Sequence, residues 1–289
     1  MNKHSFKVLV VLPALFLCSL CMAQETIHWL LTPWAPVVIR EGQFKNQGVF
    51  ELTVERLIEK LPQYQHKKQY VNGKRLFAQL EQNRNNCGLG AIKTSEREEI
   101  AYYSIAHSVL PSHSFLTTQD KSERFKAMVD QDGLISLEEL LVDHQDLRLG
   151  IVGGRSYGKT LDEILNKYKN QRNIHKRTGR DMGPGILAML SLGRVDYAIE
   201  YPFATILDIK EKQLELNPYT LPIKELKEDY IYVHIVCSKT IFGEQMIKDI
   251  NRVIRQEIGY FLKLWYRWYD PNTIRRMETQ EIFKKMHHQ

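Results

Sequence analysis

Beyond residue 23 the sequence has no apolar run long enough to cross a membrane, which takes about 20 apolar residues. The longest such run, Val8–Leu17, lies near the N-terminus and is itself too short to span a bilayer. Two lysines precede it, and small residues follow at the −3 and −1 positions of a cleavage site after Ala23. This arrangement predicts a secretory signal peptide over residues 1–23, and therefore an exported, periplasmic protein.

Cysteine is scarce, which narrows the chemistry that the chain can support. Two of the four cysteines, Cys18 and Cys21, fall in the predicted signal peptide, and a leucine precedes each where a lipoprotein acceptor needs a small residue. Cys87 and Cys237 remain, and together with scattered histidines they show no spacing typical of a metal site. We expect no metal and no cofactor. In an oxidising compartment a lone pair of cysteines forms a disulfide more often than it stays as two free thiols.

A large excess of charge of one sign is also absent. Cleavage after residue 23 removes two lysines from the 40 basic residues, which leaves 38 basic against 34 acidic residues and a net charge of +4. The two signs are interspersed, and no basic tract stands out. This pattern argues against a nucleic-acid partner and against a polybasic membrane surface.

Short apolar runs alternate with helical patterns along the mature chain, which predicts an α/β fold. Strands are predicted over Thr26–Leu31, Lys68–Val71, Gly88–Ile92, Ser114–Thr118, Arg148–Val152, His175–Thr178, Asp196–Ile199, Tyr219–Leu221 and Tyr230–Cys237. Helices are predicted over about 49–61, 74–83, 137–142, 159–169, 183–192 and 244–269.

Two segments resemble known ligand-binding loops, but the residues that such loops need for binding are missing. Gly153–Thr160 matches the phosphate-loop pattern between a strand and a helix, but exported compartments maintain no ATP supply and no strand end offers a magnesium-binding aspartate. Its glycines and helix N-terminus could still present N–H groups to an anion. Asp130–Ser136 resembles a calcium loop, yet placing Gly133 at position six puts Met128 where the first carboxylate belongs. We interpret it as a turn.

The segment Gly90–Arg97, followed by Tyr103 and Ser104, resembles the signature of family 3 extracellular solute-binding proteins. These are the amino-acid-type periplasmic receptors of ABC importers. Other landmarks of the family occur in the expected order: Pro36, Gly48, Leu137–Leu140, Leu149–Gly154, Gly193–Ala198, Trp265 and Trp268. The resemblance covers nearly the whole mature chain.

The resemblance implies a two-lobe, type II periplasmic-binding-protein-like α/β fold, in which the chain crosses twice and ligand binds in the cleft. Lobe one would comprise 24–107 and 229–289, and lobe two 108–228. Cys87 would begin the last lobe-one strand before the first crossing, and Cys237 would end the strand after the second. The two would then lie together in antiparallel strands and form a disulfide.

In this family an arginine at the position of Arg97 pairs with the ligand carboxylate, a task that suits its planar donor fork. The alternative to ligand binding is that Arg97 lies on the surface and forms an ion pair with Glu96 or Glu99. Gly90 would let the ligand approach the backbone closely.

The resemblance assigns the remaining ligand contacts to two loops. Arg155, Ser156 and Tyr157 occupy the lobe-two loop that normally offers hydroxyl and N–H groups to the same carboxylate. Trp34, after the first strand, would either stack on the ligand or pack on lobe one.

One departure from the family pattern bears on the ligand. Amino-acid receptors place an aspartate for the α-ammonium where this chain has Tyr201, with Glu200 adjacent. Glu200 would replace that carboxylate if the strand end shifts by one residue; otherwise the ligand has no ammonium group. We therefore expect a small carboxylate-bearing ligand, either an amino acid or a related acid.

The implied function is that of a monomeric periplasmic solute-binding protein, not an enzyme, that serves an ABC importer or a membrane sensor. The alternative is an exported lyase on the same scaffold, resembling cyclohexadienyl dehydratases. Such an enzyme would need an acid and a base facing the cleft, and Glu200 supplies at most one of them.

Overall fold

A computed structural model describes residues 24–82, 84–91, 93–153, 156–177, 184–227 and 230–286. The predicted signal peptide and Arg155 lie outside these residues. The strands are β1 Thr26–Leu31, β2 Gln65–Tyr70, β3 Asn86–Leu89, β4 Ala101–Tyr103, β5 Ser108–Pro111, β6 Ser114–Thr118, β7 Leu149–Val152, β8 Ile174–Arg177, β9 Tyr197–Glu200, β10 Pro218–Pro222, β11 Tyr230–Val233 and β12 Ile235–Ser238. The helices are α1 Val49–Lys60, α2 Gly73–Leu80, α3 Ser95–Glu98, α4 Ser122–Lys126, α5 Leu137–Asp143, α6 Lys159–Lys167, α7 Pro184–Ser191, α8 Thr205–Lys212, α9 Ile241–Tyr266, α10 Pro271–Thr279 and α11 Glu281–Met286.

The strands form two five-stranded mixed sheets, one for each lobe. The first has the order β2-β1-β3-β12-β4, with β1 parallel to β2 and β3, and with β12 antiparallel to β3 and β4. The second has the order β10-β6-β9-β7-β8, with β7 parallel to β8 and β9, and with β6 antiparallel to β9 and β10. The predicted two-lobe α/β fold is confirmed.

An antiparallel ribbon of β5 and β11 links the lobes. Both described strands of this ribbon lie where the chain passes between the two sheets, β5 before β6 and β11 before β12. The strands of the first sheet fall within 24–107 and 229–289, and those of the second within 108–228. The lobe boundaries themselves stay a prediction.

Two elements have other bounds than the sequence predicts, because contacts with other parts of the fold determine where they end. The run Tyr230–Cys237 was predicted as one strand but divides at His234, because its first half pairs with β5 and its second half joins the first sheet. The predicted final helix ends at Tyr266, and Asp270 then caps α10, with its Oδ1 accepting the N–H groups of Asn272 and Thr273.

The disulfide implied by the resemblance is present. Cys87 on β3 and Cys237 on β12 lie directly opposite each other in antiparallel strands, with their Cα atoms 4.1 Å apart. Both cysteines are fully buried. The bond therefore joins the two distant segments of chain that build the first sheet.

The largest apolar core belongs to the first lobe, but it also includes two residues that follow β9 of the second lobe. Phe203 and Leu207 are 2% and 4% exposed and pack in the same cluster as Trp265 and Phe50. Helix α8, which carries Leu207, extends this contact: Lys210 Nζ lies 5.5 Å from the Trp268 ring centroid. The two lobes thus meet through apolar side chains on one side of the ribbon.

Candidate functional site

A cavity of about 290 Å³ lies beside this contact and collects residues from both lobes and from the ribbon. The first lobe supplies most of its wall, the ribbon supplies Leu110 and Ile231–Val233, and the segment after β9 supplies Tyr201 and Phe203. Three residues predicted from the sequence, Trp34, Gly90 and Arg97, line it together with Thr32, Val37, Phe50, Leu76, Phe77, Leu89, Ala91 and Trp265.

Arg97 brings a positive charge to this cavity. Helix α3 begins after Thr94, whose Oγ1 accepts the Arg97 N–H at 3.3 Å, and this cap fixes the start of the short helix that carries the arginine. The guanidinium carbon lies 4.3 Å from the Phe77 ring centroid. Stacking uses the face of the guanidinium, whereas hydrogen bonding to a carboxylate uses its edge, so both can occur together.

Gly90 lies in the wall of the same cavity, immediately after β3. Its φ of +77° is in the left-handed region, and a Cβ there would fall 2.6 Å from Cε2 of Phe50. Only glycine therefore fits, and the backbone at this position is open to the cavity rather than covered by its own side chain.

Trp34 connects the first lobe to the segment after β9. It is 52% exposed, and its ring meets Phe203 and Tyr201 edge-on, with centroids 5.7 and 6.4 Å apart. These contacts are with rings that follow β9 and not with lobe one, and stacking of Trp34 on the ligand stays a prediction. The exposed remainder of the indole still forms part of the cavity wall.

A stack of rings that sequence reasoning missed surrounds Tyr201. The Tyr201 ring stacks on His113 at 3.9 Å and on Phe203 at 5.3 Å, with interplanar angles of 27° and 12°. His113 is only 7% exposed. The aromatic signal was present in the sequence as the Tyr-Pro-Phe run at the end of β9.

Glu200 is not brought to the cavity. It is 4% exposed, and its Oε2 accepts the N–H of the neighbouring Tyr201 at 3.3 Å. Its predicted role as a substitute for the ammonium-binding aspartate finds no support in this geometry. Among the described residues that line the cavity there is no aspartate, glutamate or histidine.

The glycine-rich loop before α6 is likewise separate from the cavity. Ser156 Oγ and the Tyr157 N–H donate to the two carboxylate oxygens of Asp162 at 2.5 and 2.8 Å. The Tyr157 hydroxyl accepts the Val152 N–H at 2.8 Å, and the ring is buried. These donors of the loop already bind the chain's own carboxylate, so ligand contacts by Ser156 and Tyr157 stay a prediction, as does that of Arg155.

The calcium-like segment forms a turn, as predicted. Asp130 Oδ1 accepts the N–H groups of Asp132 and Leu134, which closes the turn before α5. In the part of the chain that the structure describes, no three His, Cys, Asp or Glu residues are grouped so that they could hold a metal ion. No helix of that part is both long and apolar enough to cross a membrane.

Comparison with known proteins finds similar folds among solved structures. No family model matches the chain, and no curated protein matches it. Among solved structures, the probable amino-acid ABC transporter extracellular-binding protein YtmK of Bacillus subtilis is 18% identical with a TM-score of 0.61, over 86% of this chain and 99% of that one.

Two further solved structures share the fold but carry other descriptions. A histidine kinase sensor domain with similarity to periplasmic binding proteins is 12% identical with a TM-score of 0.52, over 86% of this chain and 99% of that one. An ancestral cyclohexadienyl dehydratase is 16% identical with a TM-score of 0.50, over 84% and 92%. The chain therefore has the periplasmic-binding-protein-like fold, and its function has to be argued from its own site.

Proposed function

We propose that this protein is a periplasmic solute-binding protein that captures a small carboxylate-bearing ligand between its two lobes. The observation that carries the proposal is the meeting of Arg97, Gly90 and Trp34 at one interlobe cavity. A cation on α3, a glycine just after β3 and a half-exposed indole after β1 thus meet at one cavity.

In this proposal each of these residues has a task. The guanidinium edge of Arg97 pairs with the ligand carboxylate in two parallel hydrogen bonds. Gly90 lines the cavity and has no side chain of its own, so the ligand can approach its backbone closely. Trp34, Tyr201 and Phe203 cover the ligand from the other side, and the β5–β11 ribbon is the hinge about which the lobes open to admit it.

The cellular setting follows from the same proposal. Residues 1–23 direct export and are removed, and the mature monomer delivers its ligand to an ABC permease or reports it to a membrane sensor. Intact-mass measurement of protein from a periplasmic extract tests the first step, with Gln24 expected as the N-terminal residue. A mass that retains residues 1–23 would contradict it.

No observation favours the exported-dehydratase alternative. Acid–base catalysis needs a proton donor and acceptor within hydrogen-bond reach of the substrate. The described lining residues of the cavity include no carboxylate and no imidazole for that role.

Titration calorimetry tests the proposed function with amino acids and organic acids as ligands. We expect wild-type protein to bind at least one carboxylate, and Arg97→Ala to bind it about 100-fold more weakly, as losing one partner of a desolvated charge pair predicts. Arg255→Ala, which removes an exposed arginine on α9, is the matched control and binds as wild type does. Equal affinity of wild type and Arg97→Ala for every ligand would refute the role of Arg97.

A further inference from the structure

We infer that the ligand is an aromatic monocarboxylate that lacks an α-ammonium group. The inference rests on the proposed function and narrows it to a substrate class. It is drawn from three properties of the cavity: its charge, the chemistry of its wall, and the ring of Tyr201.

The charge of the cavity suits one carboxylate and nothing more. Arg97 is the one charged residue among the described residues that line it. A single guanidinium neutralises a single carboxylate, whereas an ammonium group on the same ligand would lose water without gaining a carboxylate partner there. A second carboxylate would be uncompensated in the same way.

The wall of the cavity is apolar, and aromatic residues contribute as many of its side chains as aliphatic residues do, seven each. Its polar side chains other than Arg97 are a threonine and two tyrosines, while two tryptophans and three phenylalanines contribute aromatic surface. Rings pack on rings in stacked or edge-on arrangements with a gain beyond simple burial. The volume of about 290 Å³ is near the lower limit of small-molecule sites, so it fits one ring with a short acid side chain.

Tyr201 fills the strand end from which a carboxylate could otherwise reach an ammonium group. Its ring is held between His113 and Phe203, so it cannot swing away without breaking both stacks. The adjacent residue Glu200 is buried, its carboxylate accepts the Tyr201 N–H, and it does not line the cavity. The chain thus presents an aromatic face where an amino-acid site needs a negative charge.

Aromatic faces also attract cations, and this competing chemistry is part of the test. Calorimetry compares 3-phenylpropanoate with L-phenylalanine, which has the same carbon skeleton plus an ammonium group. Butanoate serves as an acid without a ring, and glycine betaine as a carboxylate with a quaternary ammonium. We expect 3-phenylpropanoate to bind more tightly than each of the other three by about ten-fold or more.

Tyr201→Asp supplies the missing carboxylate, and Tyr201→Phe is its matched control. We expect Tyr201→Asp to shift the ratio of affinities toward L-phenylalanine by about ten-fold, and Tyr201→Phe to keep the wild-type ratio. Melting temperatures establish that both variants are folded. If Tyr201→Asp does not fold, the wild-type comparison alone decides.

The outcomes separate the inference from the proposed function. If no carboxylate of any kind binds folded wild-type protein, the proposed function fails. If L-phenylalanine, butanoate or glycine betaine binds as tightly as 3-phenylpropanoate or more tightly, the proposed function stands and the aromatic monocarboxylate is overturned.

Discussion

Different chemistry fastens the segments of chain within each of the two lobes. In the first lobe a covalent bond crosses from β3 to β12, between Cys87 and Cys237. In the second lobe a polar network is centred on Asp196, just before β9. Its Oδ2 accepts both the N–H and the Nε–H of Arg148 at 2.9 Å, and its Oδ1 accepts Lys121 Nζ at 2.7 Å.

Chain topology explains this difference. The first sheet combines segments that are 150 residues apart in sequence, so a cross-link there removes much loop entropy from the unfolded chain. The second sheet is built from one continuous stretch, β6 to β10, and its closure costs less. Hydrogen bonds and ion pairs within that stretch therefore suffice to fasten it.

The largest effect should come from breaking the covalent fastening of the first lobe. Reduction of the disulfide, or the double substitution Cys87→Ala and Cys237→Ala, should lower the free energy of unfolding by about 4–5 kcal/mol on the chain-entropy model. Denaturant unfolding with and without reductant measures it. The double variant is the control, because reductant should leave it unchanged. Wild-type protein that unfolds at the same denaturant concentration in both conditions would contradict the comparison.

The polar fastening of the second lobe should be the next most costly to break. Burial raises the pKa of Asp196, but hydrogen bonds from Arg148 and Lys121 outweigh it and hold that pKa well below its usual range. Asp196→Asn leaves partly buried cations without their anion and should cost about 3 kcal/mol. The stability that a depressed acid pKa adds is complete above the unfolded pKa of about 4 and is lost as the pH falls below it, so the variant should lose less stability than wild type on acidification below about pH 4.

Asp146→Asn is the matched control for this experiment. Asp146 also binds an arginine, Arg124, but its side chain is 64% exposed. An exposed ion pair contributes little, so the control should unfold at the wild-type denaturant concentration. If Asp196→Asn and Asp146→Asn destabilise the protein equally, the Asp196 network contributes no more to stability than an exposed ion pair does, which would contradict the prediction.

A buried histidine next to the ribbon should make the first lobe acid-sensitive. His107 is fully buried, and neither ring nitrogen has a hydrogen-bond partner among the described residues. Burial, assisted by nearby His234, lowers the pKa of His107 to about 3. The unfolded chain, with a pKa of about 6.5 here, binds the proton first as pH falls, so acid favours unfolding.

Between pH 7 and pH 5 this single group should remove about 2 kcal/mol of stability. His107→Phe, which keeps a ring beside Phe261, should lose that much less over the same interval. Denaturant unfolding at the two pH values measures the difference, and His175→Gln on the edge strand β8 should behave as wild type does. An unchanged pH dependence in His107→Phe would refute the assignment.

The smallest effect on stability should come from the contact between the lobes. Trp34→Ala truncates a half-exposed side chain and should change the free energy of unfolding by about 0.5 kcal/mol or less. Trp265→Ala, at a buried ring of the same cavity, should cost about 3–5 kcal/mol. In calorimetry Trp34→Ala should still weaken ligand binding by about ten-fold. Unaltered affinity would show that Trp34 serves packing alone.

Much of the fold could be predicted because local pattern determines it. Strands Thr26–Leu31 and Ser114–Thr118 have the predicted bounds, and in the first of them burial follows the apolar pattern of the sequence. Short β4 and β5 were missed, because each depends on pairing with a segment more than 100 residues away. Propensity cannot register a partner so distant in sequence.

The site, like the fold, could be predicted only in part. The family resemblance led to Arg97, Gly90 and Trp34, and the structure brings these three together. The ring stack of His113, Tyr201 and Phe203 was not foreseen, because it brings a residue just before β6 against two residues that follow β9, far away in sequence. The role of Glu200 depended on a one-residue shift at the end of β9, and such a shift turns a side chain to the opposite face, so sequence alone could not determine it.

A crystal structure of the protein grown with 3-phenylpropanoate tests the central claim most directly. We predict a single ligand in the interlobe cavity, with its carboxylate oxygens about 2.8 Å from the guanidinium nitrogens of Arg97 and its ring against Trp34 and Tyr201. A ligand bound elsewhere, or a guanidinium turned toward bulk solvent beside an occupied cavity, would contradict the account.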